Sequence, residues 1–205
     1  MVESSTAISA IGSGAENVQI FALSGSQRRG SYNTGLIEAA ALRVPSVVQV
    51  TIGVGLDALP FFNEDVDNSG VPEIVRDFRA AIASADGLLI ATPEYNSGIP
   101  GLLKNALDWA SRPFGRSALT GKAVAIMGAS PSPGGAASAQ RELRSVLGRA
   151  GARVIEGPVL ELARAREHFD DQGTLVSAVG QGAVAKVVEA LVAEVRPASR
   201  VRVAA

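Results

Sequence analysis

Val18-Gln19-Ile20-Phe21-Ala22-Leu23-Ser24-Gly25-Ser26-Gln27-Arg28-Arg29-Gly30-Ser31-Tyr32-Asn33 is the stretch from which the fold is read. Its apolar opening, 18–23, has the length of a buried strand. A Gly- and Ser-rich turn follows, and 34–43 then shows helical spacing through Leu36, Ala39 and Ala40 before Pro45. A strand that turns directly into a helix amino-terminus exposes unpaired N–H groups and the positive end of the helix dipole, which favour an anion. Ser24, Ser26, Ser31 and Asn33 add neutral donors, while Arg28 or Arg29 adds a planar charge suited to phosphate. The competing reading is a capped turn with two solvated arginines.

The same alternation repeats downstream. Strands are expected at 47–52, 87–91 and 122–128, with a fifth shared between 153–155 and 159–160. Helices are expected at 71–85, 100–111, 135–150 and 172–195, with Pro197 ending the last one. The connection 53–70, which holds Pro60-Phe61-Phe62, is longer than a turn needs. Strands separated by helices predict an α/β fold, a parallel sheet covered on both faces by right-handed crossovers. Residues 1–16 have no periodicity and read as a mobile tail, 17–196 as one domain, and 197–205 as a second tail.

Composition narrows the partners. A chain of 205 residues with 47% hydrophobic content can bury a full core. Its formal net charge of −1 offers no basic surplus for a phosphate backbone, so nucleic acid is not expected. The lack of Cys removes disulfides and thiol chemistry, and fits a cytoplasmic protein. No segment reads as a signal peptide, and the longest apolar runs are too short for a membrane span.

In such sheets ligands bind beyond the carboxyl ends of the strands, at the switch in strand order. The loop after the third strand, 92–101, offers Tyr95 as a flat apolar face, with Asn96 and the backbone near Ser97-Gly98 as donors. Ser97 also reads as a helix cap, with Pro100 in the first turn. Glu94 is either a charge beside a bound ring or a tie for its own loop. The loop after the fourth strand, Ser130-Pro131-Ser132-Pro133-Gly134-Gly135, is a ligand wall or a bare connection.

Other signatures do not fit. There is no G-x-G-x-x-G, Asp57 lies too far past its strand to hold a ribose, and Gly121-Lys122 precedes a strand instead of opening a helix. His168 sits among charges and reads as a surface residue. The acidic run Glu64-Asp65-x-Asp67 reads as a solvated loop or a subunit contact, because nothing nearby completes a metal site.

Four stretches carry a resemblance: Gly25-Ser26-x-Arg28-x-x-Ser31-x-Asn33, Pro93-Glu94-Tyr95-Asn96, Ile99-Pro100-Gly101-x-x-Lys104-Asn105-x-x-Asp108-Trp109, and Gly134-Gly135 followed by Gln140 and Leu143-Arg144. They run in order and with normal spacing, and together the sequence resembles the NADPH-dependent flavin mononucleotide (FMN) reductase family, which includes bacterial quinone and chromate reductases. The resemblance implies a flavodoxin-like three-layer sandwich with a five-stranded parallel sheet of order 2-1-3-4-5. It implies bound FMN, reduced by NADPH or NADH and reoxidised by a small acceptor such as a quinone, a flavin, an azo compound or chromate. Ser24, Ser26, Arg28, Ser31, Tyr32 and Asn33 would hold the phosphate end. Pro93, Glu94, Tyr95, Asn96 and Gly98 would line the ribityl chain and ring, and Ser130, Gly134 and Gly135 would face the ring. The family also implies a homodimer or homotetramer, to which the apolar helix around Leu102, Leu103, Ala106, Leu107 and Trp109 could contribute.

Chemistry would belong to the flavin, with no catalytic side chain required. A flavodoxin-type electron carrier is the main alternative. Such carriers are strongly acidic for docking, whereas this chain is nearly neutral. A non-enzymatic nucleotide-sensing module is the other.

Overall fold

Short apolar runs flanked by turns suit strands buried on both faces of a sheet, and the third and fourth strands are such runs. The computed structural model describes residues 17–53 and 55–199, with side chains up to 195. The expected tail at 1–16, and the end of the second from 200 onward, lie outside the described residues.

The chain forms β1 (Val18–Ser24), α1 (Tyr32–Ala41), β2 (Val48–Gly53), α2 (Glu64–Ser69), α3 (Glu73–Ser84), β3 (Gly87–Ala91) and α4 (Gly101–Ala110). It continues with β4 (Ala123–Ala129), α5 (Ala137–Arg149), β5 (Arg153–Val154), β6 (Leu160–Leu162) and α6 (Ala178–Ser199). All strand pairs are parallel, in the order β2-β1-β3-β4-β5, with β6 also paired to β4. This is the expected flavodoxin-like order. The expected fifth strand is two short ones, β5 beside the start of β4 and β6 beside its end.

Every residue of β3 and β4 is buried. Successive side chains point to opposite faces, so the strands feed two cores. Ile20, Ala22, Leu89, Ala125 and Met127 pack with α1 and α6. Phe21, Leu23, Leu88, Ile90, Val124 and Ile126 pack with α3, α4 and α5. No helix among the described residues is long and apolar enough to cross a membrane.

Several boundaries depart from the sequence expectation. α1 starts at Tyr32 because Ser31 caps it, its Oγ accepting the N–H of Thr34 at 3.5 Å. The long connection holds the unforeseen α2, capped by Asn63, whose Oδ1 accepts the N–H of Asp65 at 2.8 Å. That helix buries no residue, so it leaves no apolar period to read. α6 begins at Ala178, after a turn, and runs past Pro197 to Ser199. Proline's fixed φ is itself helical, so the final turn loses a hydrogen bond without losing its course.

The Lys104-Asn105-x-x-Asp108-Trp109 motif holds the long connection against α4. Asn105 Oδ1 accepts the N–H of Phe62 at 2.7 Å, and its Nδ2 donates to Pro60 O at 3.0 Å. Trp109 Nε1 donates to the same carbonyl at 2.7 Å, and its ring meets Phe62 edge-on at 5.0 Å. Lys104 pairs with Asp108 along the helix at 2.7 Å. Most of the apolar surface of α4, including Leu103, Ala106, Leu107 and Trp109, is consumed inside the chain. Asn105→Ala strands the Phe62 N–H and leaves the Pro60 carbonyl to Trp109 alone; urea denaturation should show a loss of about 1–2 kcal/mol with the slope unchanged.

Candidate functional site

Parallel register sets Ser24 beside Ala91, Ala91 beside Met127, and Ala129 beside Leu162. The loops after β1, β3, β4 and β6 therefore leave the sheet side by side. The polar residues singled out from the sequence fall on the first three.

In the first loop, Ser24 Oγ lies 2.9 Å from Thr34 Oγ1 and accepts the Ser26 N–H at 3.3 Å. Ser26 Oγ accepts the Arg28 N–H at 3.4 Å. Arg28 donates to the carbonyls of Arg29 and Gly30 at 2.9 and 2.6 Å and lies over the Tyr32 ring at 5.1 Å. That uses two of the five guanidinium donors. The first N–H groups of α1 have no intrahelical acceptor, and the stretch 24–34 contains no acidic residue. Hydroxyls, free N–H groups and arginine without an opposing carboxylate fit a phosphate.

Asn33 takes a different part from the one expected. Its side chain is buried, donating from Nδ2 to Ala129 O at 3.0 Å and accepting the Ala129 N–H on Oδ1 at 2.9 Å. The carboxamide bonds the end of β4 as another strand would, and so fastens α1 to β4.

The second loop is a tight turn. Tyr95 and Gly98 exchange backbone hydrogen bonds of 3.0 Å, and Asn96 and Ser97 adopt φ of 51° and 64°. Ser97 is thus a turn residue and not the cap of α4, whose N-cap is Pro100. Pro93 is buried beneath the turn, while the Tyr95 ring is half exposed. Glu94 is a tie: its Oε2 accepts the N–H groups of Ser138 and Ala139 at 2.9 and 3.2 Å, in the first turn of α5.

The third loop divides its residues. Ser130 is buried, its Oγ 2.9 Å from Ser132 Oγ, and its backbone bonds Leu162 and Ala165. Gly135, at φ +55°, lies so close to Glu161 that a Cβ would come within 2.5 Å of its carbonyl oxygen. Gly134 stands in open space by comparison. Of the two glycines, Gly135 serves packing and Gly134 is free to face a ligand.

A profile described as NADPH-dependent FMN reductase matches residues 18–167. The chain belongs to that family. A 2-hydroxy-1,4-benzoquinone reductase from Burkholderia sp is 42% identical over 160 residues, covering 78% of this chain and 86% of the relative. An NAD(P)H-dependent FMN reductase from Pseudomonas aeruginosa is 38% identical over 176 residues, covering 86% and 94%. Among solved structures, a flavoenzyme NAD(P)H:(acceptor) oxidoreductase from Paracoccus denitrificans superposes with a TM-score of 0.75 at 29% identity, covering 86% of this chain and 98% of that one. Membership of the FMN reductase family makes this protein an oxidoreductase that uses FMN and NAD(P)H.

A fourth side of the loop cluster comes from a stretch the sequence offered as charged surface up to 171 and as helix from 172. Residues 163–177 follow β6 and back the first loop. The Phe169 ring packs 4.9 Å from Tyr32, and a Cβ on Gly35 of α1 would lie 2.1 Å from Gly173 O. His168 Nδ1 bonds Ser177 Oγ at 2.7 Å, and that oxygen also accepts the N–H of Gly180 at the start of α6. Thr34 and Glu142 were missed as well: Thr34 joins the hydroxyl cluster, and Glu142 reaches Ile99 N–H at 2.8 Å. No local motif announces either. Gln140 Nε2 donates to Leu160 O at 2.9 Å, while its Oε1 is buried without a partner among the described residues. Among the described residues no group of three or more His, Asp or Glu is placed to hold a metal.

Asn33→Ala leaves a buried N–H and a buried carbonyl of Ala129 unpaired. Thermal and urea unfolding should report roughly 2–4 kcal/mol of destabilisation, with the loss present in the absence of any flavin.

Proposed function

We propose that this protein is an FMN-dependent NAD(P)H oxidoreductase that passes electrons to small acceptors of the quinone class, within one domain spanning 17–196. The hydroxyl-lined amino-terminus of α1, free of acidic residues and set beside the Tyr95 turn, carries the reading. Ser24, Ser26, Arg28, Ser31 and Tyr32 hold the phosphate end, joined by the backbone N–H of Asn33. Pro93, Tyr95, Asn96 and Gly98 line the ring side, with Glu94 fixing their loop, and Ser130 and Gly134 close the third side.

When bound, FMN supplies two-electron hydride chemistry, and the protein contributes binding, orientation and electrostatics. The loops stand at a sheet edge open to solvent, which suits a nicotinamide and an acceptor that take turns at one face. A quinone is favoured by the similarity to the Burkholderia benzoquinone reductase. A flavodoxin-type carrier fits less well, because the near-neutral charge lacks the acidic docking surface such carriers use. The Cys-free composition fits a cytoplasmic setting.

The test begins with reconstitution. FMN is added to the purified protein, the excess is removed, and the visible spectrum is followed anaerobically during titration with NADPH or NADH. Retained yellow flavin should bleach with about one equivalent of reductant. Steady-state kinetics with a benzoquinone should give parallel double-reciprocal lines, as expected when the two substrates alternate at one site. Flavin that ignores both nicotinamides would establish the electron carrier instead, and absence of retained flavin would overturn the site.

Two copies pair, in this reading, through the end of α4 and the long connection. Phe61 is 90% exposed and Phe114 78% exposed, and Arg112, two residues before Phe114, lies 5.3 Å over the ring of Phe62, the neighbour of Phe61 in sequence. Beside Phe114 a groove of about 250 Å³ is lined by Leu107, Val146, the Lys104–Asp108 pair and the cations Arg112 and Arg149, so its balance of charge is positive. The connection that carries Phe61 is acidic at Glu64 and Asp65, which complements the groove on a second copy. Light scattering should find a dimer or a dimer of dimers for the wild type, and smaller particles for Phe61→Asp.

A further inference from the structure

Two carboxylates join the Tyr95 turn to α5 from opposite sides. Glu94, on the loop, accepts the N–H groups of Ser138 and Ala139 on the helix at 2.9 and 3.2 Å. Glu142, on the helix, accepts the N–H of Ile99 on the loop at 2.8 Å. The loop grips the helix, and the helix grips the loop.

Between the two grips lie only Tyr95 to Gly98. This turn places two successive side-chain-bearing residues, Asn96 and Ser97, at positive φ, a conformation L-residues resist. Its own paired backbone bonds close it but do not anchor it to the rest of the protein. A Cβ at Gly98 would come within 2.6 Å of Glu142 Oε2, so the missing side chain at 98 lets the carboxylate reach the turn. Turn shape, glycine position and both carboxylates thus fit one arrangement.

We propose that Glu94 and Glu142 are positioning residues for the flavin, a reciprocal clasp that holds the Tyr95–Gly98 turn in its receiving shape before the cofactor arrives. This rests on the reading that the turn lines the flavin ring. Neither carboxylate has to touch the flavin. A loop that is already ordered loses little conformational freedom on binding, so the clasp is expressed as affinity. What each carboxylate supplies is an acceptor oxygen in the right place, and an amide oxygen can supply the same.

The experiment compares FMN affinity, by quenching of flavin fluorescence, among wild type, E94A, E94Q, E142A and E142Q, with thermal melts confirming that each is folded at the assay temperature. Amide hydrogen exchange is measured on the same proteins without flavin. Each alanine variant should bind FMN at least about tenfold more weakly, and each glutamine variant should stay within about threefold of wild type. In the flavin-free proteins, exchange at Ile99 should accelerate in E142A but not in E142Q, and exchange at Ser138 and Ala139 in E94A but not in E94Q. Alanine variants with wild-type affinity would overturn the proposal. So would a loss that glutamine fails to restore. If the wild type itself binds no FMN, the functional reading falls with it, and protected exchange at Ile99 and Ser138 would then show that the clasp exists while serving another ligand or none.

Discussion

Parallel strands place consecutive crossovers on the same edge of a sheet, but they do not hold the resulting loops to one another. Here that task falls first to a buried carboxamide. Asn33 bonds both backbone groups of Ala129, across 96 residues of sequence, and so locks the amino-terminus of α1 to the end of β4. The first loop is then no longer free to drift from the third. Other ties close the ring: Glu94 joins the second loop to α5, the backbone of Ser130 joins the third loop to the chain after β6, and Phe169 and Gly173 press that chain against α1. The site is a platform of four loops whose mutual positions are set by protein contacts alone.

Such pre-ordering bears on function because the chemistry is carried by a cofactor. A flavin that brings its own reactivity needs a fixed seat and an open face more than it needs acid–base residues. Ser24 and Thr34 hold each other in place without a ligand, while the Oγ atoms of Ser26 and Ser31 accept backbone N–H groups and keep their own O–H to offer an anion. The Tyr95 ring stays half exposed on a turn tied at both ends. Binding then needs little rearrangement.

The strands and the positions of their loops were legible because burial on both faces leaves apolar runs, as at 87–91 and 123–127, whereas the order of the strands was legible only through the family resemblance. The first loop was legible because strand, turn and helix cap are consecutive in sequence. What the sequence hid were the long-range ties. Glu94 meets Ser138 over 44 residues and Glu142 meets Ile99 over 43. Asn105 meets Pro60 over 45. A residue paired at that distance carries no local period, and a glutamate on a helix reads as solvated surface. The same holds for 163–177, whose role depends on two glycine backbones meeting. α2 escaped notice for the opposite reason, since it has no fully buried residue and only Val66 packs against the core.

The distribution of charge among helix starts supports the proposed placement of the phosphate end at α1. Three helices, α1, α4 and α5, follow β1, β3 and β4, and each presents a positive dipole end near the same edge. At α5 the Glu94 carboxylate sits on the first-turn N–H groups. Near the start of α4 the Glu142 carboxylate sits on the N–H of Ile99. Both ends are thereby compensated and offer little to another anion. α1 alone of the three is capped by a neutral hydroxyl, that of Ser31, with Arg28 beside it and no acid in the loop. With the other two helix starts covered by Glu94 and Glu142, α1 is the start left open to an anion, in keeping with the phosphate end proposed there.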